Sequence, residues 1–289
     1  MPINSSRPMK PTKSIKPFFL VFSFYLLVSI TLHAQLYVGL HGGITLPQGF
    51  YAESRMSDNE WMFTSGHQHQ GGAGRGWAAG LDISFAMPFH PALEAVFAAD
   101  FMQGGPNRDV REYYELSYAR RYSQCSLYEM KLPRLRNIPL YLGLRYHYPI
   151  ANAIELYGEA LAGINHRMIT DWILTFTKEP WTPQEELDYP EYNNIDIHSY
   201  ASATTFAFRL GAGFVFNKKV TLGASFQMLG KAPLAWDRTV TTRYDVYGEI
   251  SEYTDRTHTD YTDLNPTLVL VQLGYRLNPF KGARHVQDW

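Results

Sequence analysis

The sequence of 289 residues contains one cysteine, Cys125, and therefore lacks a partner for an internal disulfide. A stable fold of this chain must rest on hydrogen-bonded elements and packing rather than on covalent cross-links. Cys125 lies in a polar segment, and we interpret it as an incidental thiol rather than a reactive one.

The chain also lacks an excess of charge of either sign. It has 26 Lys and Arg against 27 Asp and Glu, so its formal net charge is −1. A nucleic-acid partner requires a basic surface, and this composition gives no reason to expect one. Mean hydropathy is −0.25.

Long hydrophobic runs are missing with a single exception, Phe18–Leu32 near the N-terminus. Lys10, Lys13 and Lys16 precede this run, and Leu32-His33-Ala34-Gln35 follows as a small-residue cleavage site. The run is shorter than the roughly 20 residues of a membrane-spanning helix. The sequence therefore predicts a signal peptide over residues 1–34, and excludes a bundle of membrane helices for the remainder.

What the chain does contain is eight short segments in which apolar residues occupy every second position. A strand places successive side chains on opposite faces, so a wall with lipid outside and polar groups inside alternates in this way. Only a closed sheet leaves no unpaired backbone edge in lipid. The segments are Leu36–Leu46, Gly76–Met87, Leu93–Met102, Asn137–Tyr148, Ala153–Arg167, Thr205–Phe216, Val220–Leu229 and Pro266–Leu277.

The connections between these segments alternate in length. About four residues follow the second, fourth and sixth segments, whereas about 25 to 40 follow the first, third, fifth and seventh. Short turns at one rim and long loops at the other are typical of outer-membrane barrels. We predict an all-β fold: an eight-stranded antiparallel up-and-down transmembrane β-barrel with long extracellular loops, over residues 35–280, in the bacterial outer membrane. A polar tail, residues 281–289, follows.

Three stretches resemble a known family. They are the first segment with Gly39, Gly42 and Gly43, the motif Asn137-Ile138-Pro139-Leu140-Tyr141-Leu142, and the end of the eighth segment, Leu273–Leu277. Together they resemble the outer-membrane β-barrel domain family, the PorT-like barrels, over about Gln35 to Leu277. The resemblance implies no shared catalytic residues, and a role linked to secretion or to surface binding. Pro139 is placed near the strand start, where a missing ladder hydrogen bond costs least.

Ionisable side chains collect on the predicted inward face. An eight-stranded barrel is narrow and its lumen is filled by side chains, so these charges must pair with one another. Because carboxylates outnumber arginines, one or two carboxylates are expected near the rims or protonated. The predicted network consists of Asp82, Glu94, Asp100, Arg145, Glu155, Glu159, Arg209 and Arg276.

The long loops are rich in tyrosine and arginine, residue types that are enriched in recognition hot spots. Alternating Thr and Tyr between Arg238 and Tyr261 favours a hairpin that extends beyond the membrane. The alternative is that the loops fold over the rim and shield it. The residues of the possible recognition surface are Tyr113, Tyr114, Tyr118, Trp172, Trp181, Tyr244 and Tyr247.

No catalytic residue, metal site or cofactor is predicted. The pair His67 and His69 lacks a fixed third ligand. A hydrolase site of His41 or His147 with Ser84 is disfavoured because these residues face inward. We expect a non-enzymatic structural or surface-interaction role, with outer-membrane lipid, the insertion machinery acting on the last strand, and an extracellular ligand or protein as partners. The alternatives are a small-solute channel, an accessory component of a secretion system and a lipid-modifying enzyme.

Overall fold

The computed structural model describes residues 36–49, 52, 73–106, 108, 111–112, 125–178, 192–246 and 249–278. Within these ranges the chain forms thirteen strands arranged in two sheets. No helix in this part of the chain has the length and apolar character needed to cross a membrane. The predicted signal peptide, residues 1–34, and the predicted polar tail, residues 281–289, lie outside the described residues.

Eight of the strands form a closed antiparallel barrel in the order β1-β13-β10-β9-β6-β5-β3-β2. The barrel closes where β1 pairs with β13. The barrel strands are β1 (Leu36–Pro47), β2 (Ala73–Met87), β3 (His90–Pro106), β5 (Leu135–Ala151), β6 (Ile154–Ile169), β9 (Ala203–Phe216), β10 (Val220–Met228) and β13 (Thr267–Leu277).

The predicted barrel is confirmed strand by strand. Each of the eight predicted segments coincides with a barrel strand, and the boundaries differ by at most four residues. The short links are tight turns. In the turn between β9 and β10, Asn217 and Lys218 adopt the left-handed backbone conformation, with φ of 50° and 58°. All three short turns lie at one rim, because consecutive strands β2–β3, β5–β6 and β9–β10 pair antiparallel.

The side-chain alternation is also as predicted. Outward residues such as Leu142 and Phe206 are 66% and 68% exposed, whereas their inward neighbours Tyr141 and Ala207 are fully buried. The exposed apolar side chains run around the whole wall, from Leu40 on β1 to Leu273 on β13. We call this surface the apolar belt.

One expectation about the wall is wrong. Pro139 is the fifth residue of β5 and not close to its start. The pairing between β3 and β5 runs to Ala99–Leu140 and resumes in the same register at Met102–Asn137, so the ladder is interrupted where Pro139 lies. A proline has no N–H to give to the ladder, and the barrel tolerates the interruption inside the wall.

The remaining strands form a second, open sheet beyond the rim with the long loops. Its order, β12-β11-β8-β7-β4, repeats that of the barrel strands β13-β10-β9-β6-β5, because each second-sheet strand joins its barrel counterpart through two or three residues. Five neighbouring strands of the wall thus continue past the rim. The second-sheet strands are β4 (Cys125–Lys131), β7 (Trp172–Lys178), β8 (Tyr192–Tyr200), β11 (Ala232–Val246) and β12 (Glu249–Leu264).

The sequence predicted one part of this sheet. β11 and β12 pair antiparallel from Ala232–Leu264 to Val246–Glu249, which confirms the hairpin expected between Arg238 and Tyr261. β4, β7 and β8 lie in segments that were expected to be loops.

Candidate functional site

The barrel interior holds the largest group of buried charges, and Arg145 on β5 is at its centre. Its Nη1 donates to Asp82 Oδ2 at 2.9 Å, while Nε and Nη2 donate to Glu159 Oε2 at 3.0 and 2.9 Å. Asp82 lies on β2 and Glu159 on β6, so one guanidinium links strands from opposite sides of β5 in the barrel order. Bonds of this kind are stronger than neutral ones.

Arg209 on β9 continues this network across the lumen. Its Nη1 donates to Asp100 Oδ2 at 3.1 Å, and its Nη2 lies 2.7 Å from Glu159 Oε1. His41 on β1 lies on the other side of Asp100, with Nε2 at 2.8 Å from Oδ1, and its Nδ1 is 3.8 Å from Asp82 Oδ1. Together with Arg145 and Asp82, these residues form one connected group of six that we call the central cluster: His41, Asp82, Asp100, Arg145, Glu159 and Arg209.

A second group lies nearer the short turns. Arg276 on β13 donates from Nη2 to both Glu94 oxygens, at 2.7 and 2.8 Å. His147 Nε2 is 3.2 Å from Glu94 Oε2, and His147 Nδ1 is 3.2 Å from Glu155 Oε2. Glu155 is the one partly exposed carboxylate among the eight predicted network residues, as its position near the rim implies.

The structure therefore brings all eight predicted network residues into the barrel interior and into two clusters. The prediction omitted His41 and His147 from the network. Each histidine contacts two of the five carboxylates: His41 contacts Asp82 and Asp100, and His147 contacts Glu94 and Glu155. Both histidines fall on inward positions of the alternation, and this signal was available in the sequence.

An apolar layer fills the lumen between the central cluster and the rim with the long loops. Met102, Leu161, Leu268 and Leu270 are buried there together with Tyr141. Tyr141 Oη donates to Gln227 Oε1 at 2.9 Å, so its hydroxyl is satisfied. The interior is thus partly hydrocarbon, in addition to the predicted charge network. The lumen contains this apolar layer beside the two charged clusters.

Ser84 does not face lipid. It is fully buried, and its hydroxyl accepts a hydrogen bond from Arg276 Nη2 at 3.3 Å. A lipid on the outer wall could not reach this hydroxyl through the sheet. The geometry assigns Ser84 to the lining of the second cluster.

The predicted recognition surface is only partly described. Tyr113, Tyr114, Tyr118, Trp181 and Tyr247 lie outside the described residues, and Tyr244 is placed on β11 opposite Tyr192 and Ser251. Trp172 corrects the prediction. It is 1% exposed and its ring centroid lies 4.3 Å from that of His198, because β7 turns this side chain to the buried face of the second sheet.

His198 belongs to a compact polar group on that face. Arg238 on β11 donates from Nη2 to Asp196 Oδ2 at 2.7 Å and from Nε to Asp196 Oδ1 at 3.0 Å. His198 Nε2 lies 3.2 Å from the same Oδ1. Burial alone raises the pKa of Asp196, but the bonds from His198 and Arg238 outweigh it and hold that pKa below its ordinary value. Burial lowers the pKa of His198, against the pull of Asp196.

Among the described residues, no group of three or more His, Cys, Asp or Glu side chains is arranged to hold a metal ion. His67 and His69 lie outside the described ranges.

Comparison with known proteins gives fold similarity alone. No protein-family model matches the chain, and no curated protein sequence matches it. Among solved structures, Neisserial surface protein A is 10% identical with a TM-score of 0.37, covering 84% of this chain and 97% of that one. OprG from Pseudomonas aeruginosa is 14% identical with a TM-score of 0.37, covering 85% and 98%. Ail, the attachment invasion locus protein of Yersinia pestis, is 13% identical with a TM-score of 0.30, covering 84% and 97%.

The class of protein follows from the geometry of the chain itself. A closed antiparallel wall of eight strands, with apolar side chains outside and paired charges inside, is a transmembrane β-barrel. Barrels of this kind are proteins of the bacterial outer membrane, and this chain is one of them.

Proposed function

We propose that the protein is a non-enzymatic surface-interaction barrel, with the second sheet outside the cell and the short turns in the periplasm. One observation carries the proposal: the lumen is filled, while the wall continues past the rim as an open sheet. Long loops outside and short turns inside are the usual orientation of such barrels.

The edge of the second sheet offers a surface for a partner. β12 pairs only with β11 among the described strands, and residues 252–258 are all exposed. An exposed edge presents unpaired backbone groups that an extended peptide can join as an added strand. Tyr253, 64% exposed, supplies the type of side chain that anchors such contacts. We propose a protein partner at this edge.

The resemblance to PorT-like barrels agrees with this role, because it implies secretion or surface binding. The barrel closes through β13, and we expect the insertion machinery to recognise this last strand. A lipid-modifying enzyme would require an active site on the outer wall. A channel would require an open lumen.

Photo-crosslinking in intact cells tests the proposal. A photoreactive residue at Arg256 on β12 is expected to form a protein adduct of discrete size, and the same residue at Lys218 in the opposite turn is not. Trypsin added to intact cells should cleave the β11–β12 hairpin and leave the turn at residues 217–219 uncut. A folded, surface-displayed protein that forms no protein adduct from Arg256, Thr254 or Thr257 would contradict the proposal.

A further inference from the structure

The outer wall of the barrel changes character near the rim that carries the second sheet. Trp77, Phe101, Ile138, Ile164 and Phe206 mark the end of the apolar belt on five neighbouring strands. Trp77 and Phe101 are in ring contact, with centroids 5.4 Å apart. Aromatic side chains at such a boundary mark the level at which hydrocarbon gives way to headgroups.

A continuous set of polar side chains begins at this boundary. Gln103 on β3 is opposite Arg136 on β5, and Arg136 Nε donates to Gln103 Oε1 at 3.1 Å. On the next two strands His166 is opposite Thr204, with Nδ1 and Oγ1 3.1 Å apart. Arg134 is exposed two residues beyond Arg136, on the same face. We call these five residues, Gln103, Arg134, Arg136, His166 and Thr204, the polar band.

The two arginines of the polar band differ from the arginines inside the barrel. Arg145, Arg209 and Arg276 each contact carboxylates. Neither Arg134 nor Arg136 forms a salt bridge with any residue that the structure describes, and no acidic residue belongs to the band. Arg134 lies one residue before β5 and two residues before Arg136, a span of about 6.6 Å in extended chain. Two arginines without a carboxylate partner among the described residues therefore occupy neighbouring outward positions at the headgroup level.

This arrangement complements one kind of molecule. Arginine binds phosphate oxygens through two parallel hydrogen bonds, and Gln103, His166 and Thr204 add neutral partners for hydroxyl or phosphate groups. The wall directly below, with Phe101, Ile138 and Ile164, is apolar and suits acyl chains. The combined surface fits an amphipathic lipid with an anionic, hydroxyl-bearing headgroup.

We propose that the polar band is a binding site for a phosphorylated glycolipid of the surrounding leaflet. The phosphate is held by Arg134 and Arg136, and the acyl chains lie along the adjacent apolar belt. The choice of a glycolipid, which places this rim in the outer leaflet, rests on the proposed orientation; the phosphate recognition does not.

Native mass spectrometry of the full-length protein with added bisphosphorylated lipid A tests this site. The wild-type protein is expected to retain this lipid more strongly than the same lipid with its phosphates removed. Arg134→Gln combined with Arg136→Gln should lower the apparent affinity about tenfold or more, since the charge-assisted hydrogen bonds to the phosphate are lost. Arg134→Lys with Arg136→Lys keeps the charge and should retain part of the affinity.

The matched control is Lys218→Gln with Lys219→Gln, which removes two exposed cations at the opposite rim. It should leave lipid A retention unchanged. Equal retention of the dephosphorylated lipid, or an equal loss in the control variant, would overturn the proposal. Displacement of lipid A by millimolar inorganic phosphate would assign the site to a soluble anion instead.

A heat-dependent gel shift reports whether each variant forms a closed barrel. If the double glutamine variant does not fold, Arg136→Gln alone is measured in its place, with an expected smaller loss of the same sign. The outcome is independent of crosslinking at β12, so failure of the lipid site and failure of the proposed partner surface are distinguishable. A phosphorylated phospholipid bound as tightly as lipid A would keep the phosphate site but reject the glycolipid and its leaflet.

Discussion

At the scale of single residues, Arg145 is the connection on which the central cluster depends. It donates three hydrogen bonds, to two carboxylates on different strands, and it is buried. Removing it leaves Asp82 and Glu159 with fewer partners in a medium that cannot solvate them. Loss of one member of a buried ion pair is strongly destabilising.

We therefore expect Arg145→Ala to lower the free energy of unfolding by about 3–5 kcal/mol. The measurement is urea unfolding of the protein in lipid vesicles, followed by the heat-dependent gel shift. Arg243→Ala, an exposed arginine on β11, is the control and should change the free energy by less than about 1 kcal/mol. Equal effects of the two substitutions would show that the interior network does not stabilise the barrel.

Glycines on the inward face leave the room that these large side chains occupy. A Cβ on Gly80 would collide with Asp100 Oδ1 and with the His41 ring, whereas a Cβ on Gly42 would have only Ala78 O in ordinary contact at 3.6 Å. Both glycines have backbone angles open to any residue, since neither is among the positive-φ glycines. The difference between them is therefore one of space.

Gly80→Ala is expected to lower the unfolding free energy by about 1–3 kcal/mol through overpacking. Gly42→Ala, on the lipid-facing side, should be tolerated. Parallel unfolding curves in vesicles measure both. If Gly80→Ala were as stable as Gly42→Ala, the close approach of His41 and Asp100 to this strand would be incorrect.

At the scale of elements, the sequence predicted the strands that contact lipid and missed most of those that do not. Lipid on one side forces strict alternation, which Leu40, Leu142 and Phe206 display. A strand with water near its edge is under no such constraint, and β12 has Thr, Asp and Glu on both faces. The β11–β12 hairpin was predicted only from its Thr and Tyr residues, which are frequent in strands. β8, with Asn193, Asn194 and Asp196, carries little of that signal.

The charge network inside the barrel was also predictable from the sequence only in part. Alternation identified which charges point inward, because that depends only on position along a strand. The pairing of Arg145 with Asp82 and of Arg276 with Glu94 depends on barrel closure and register, which no local pattern encodes. Trp172 was read as a surface residue because nothing in its own segment reveals that its side chain would lie on the buried face of the second sheet, beside His198 of β8.

The polar group around Asp196 makes the second sheet sensitive to acid. The pKa of His198 in the folded protein is lower than its ordinary value of about 6.5. Below about pH 6.5 the unfolded chain therefore binds a proton at His198 more readily than the folded protein does. The lowered pKa of Asp196 acts in the same direction at lower pH, around its ordinary value of about 3.8 and below. The contribution of these two groups to the stability of the second sheet is thus complete above about pH 6.5 and decreases as the pH is lowered.

Hydrogen–deuterium exchange of β8 amides, corrected for the intrinsic pH dependence of exchange, measures this effect. We expect the free energy of local opening of β8 to fall between pH 7.5 and 5.5, while that of the barrel strand β9 near Ala207 changes less. His198→Gln should abolish the change in this upper window and leave the loss at lower pH that Asp196 causes. A pH-independent opening energy for β8 in the wild-type protein would contradict the assignment.

At the scale of the whole molecule, one continuous wall contacts lipid along the barrel and extends past the lipid as the second sheet. Five neighbouring strands pass from lipid into the second sheet without changing their order, so the barrel positions the sheet through short links of the chain. A hydrogen bond from Thr170 N to Arg134 O and one from Ala201 N to Ala235 O pair these links where the strands leave the barrel. The sheet is therefore an extension of the barrel wall.

The same view of the whole molecule predicts its conductance. Three layers follow one another along the lumen: the second cluster around Arg276 and Glu94, the central cluster around Arg145 and Arg209, and the apolar layer that includes Met102, Tyr141 and Leu161. Breaking only the charged layers leaves a hydrophobic constriction, which excludes water and ions.

In planar bilayers we expect no steady conductance steps from the wild-type protein or from Arg145→Ala. Combining Arg145→Ala and Arg276→Ala with Tyr141→Ala and Leu161→Ala breaches all three layers and should introduce small steps, provided that the gel shift shows a closed barrel. A porin recorded in the same bilayers verifies the sensitivity. Steady steps from the wild-type protein that change with Arg145→Ala would show instead that the lumen conducts, and the role would then move from surface interaction to transport.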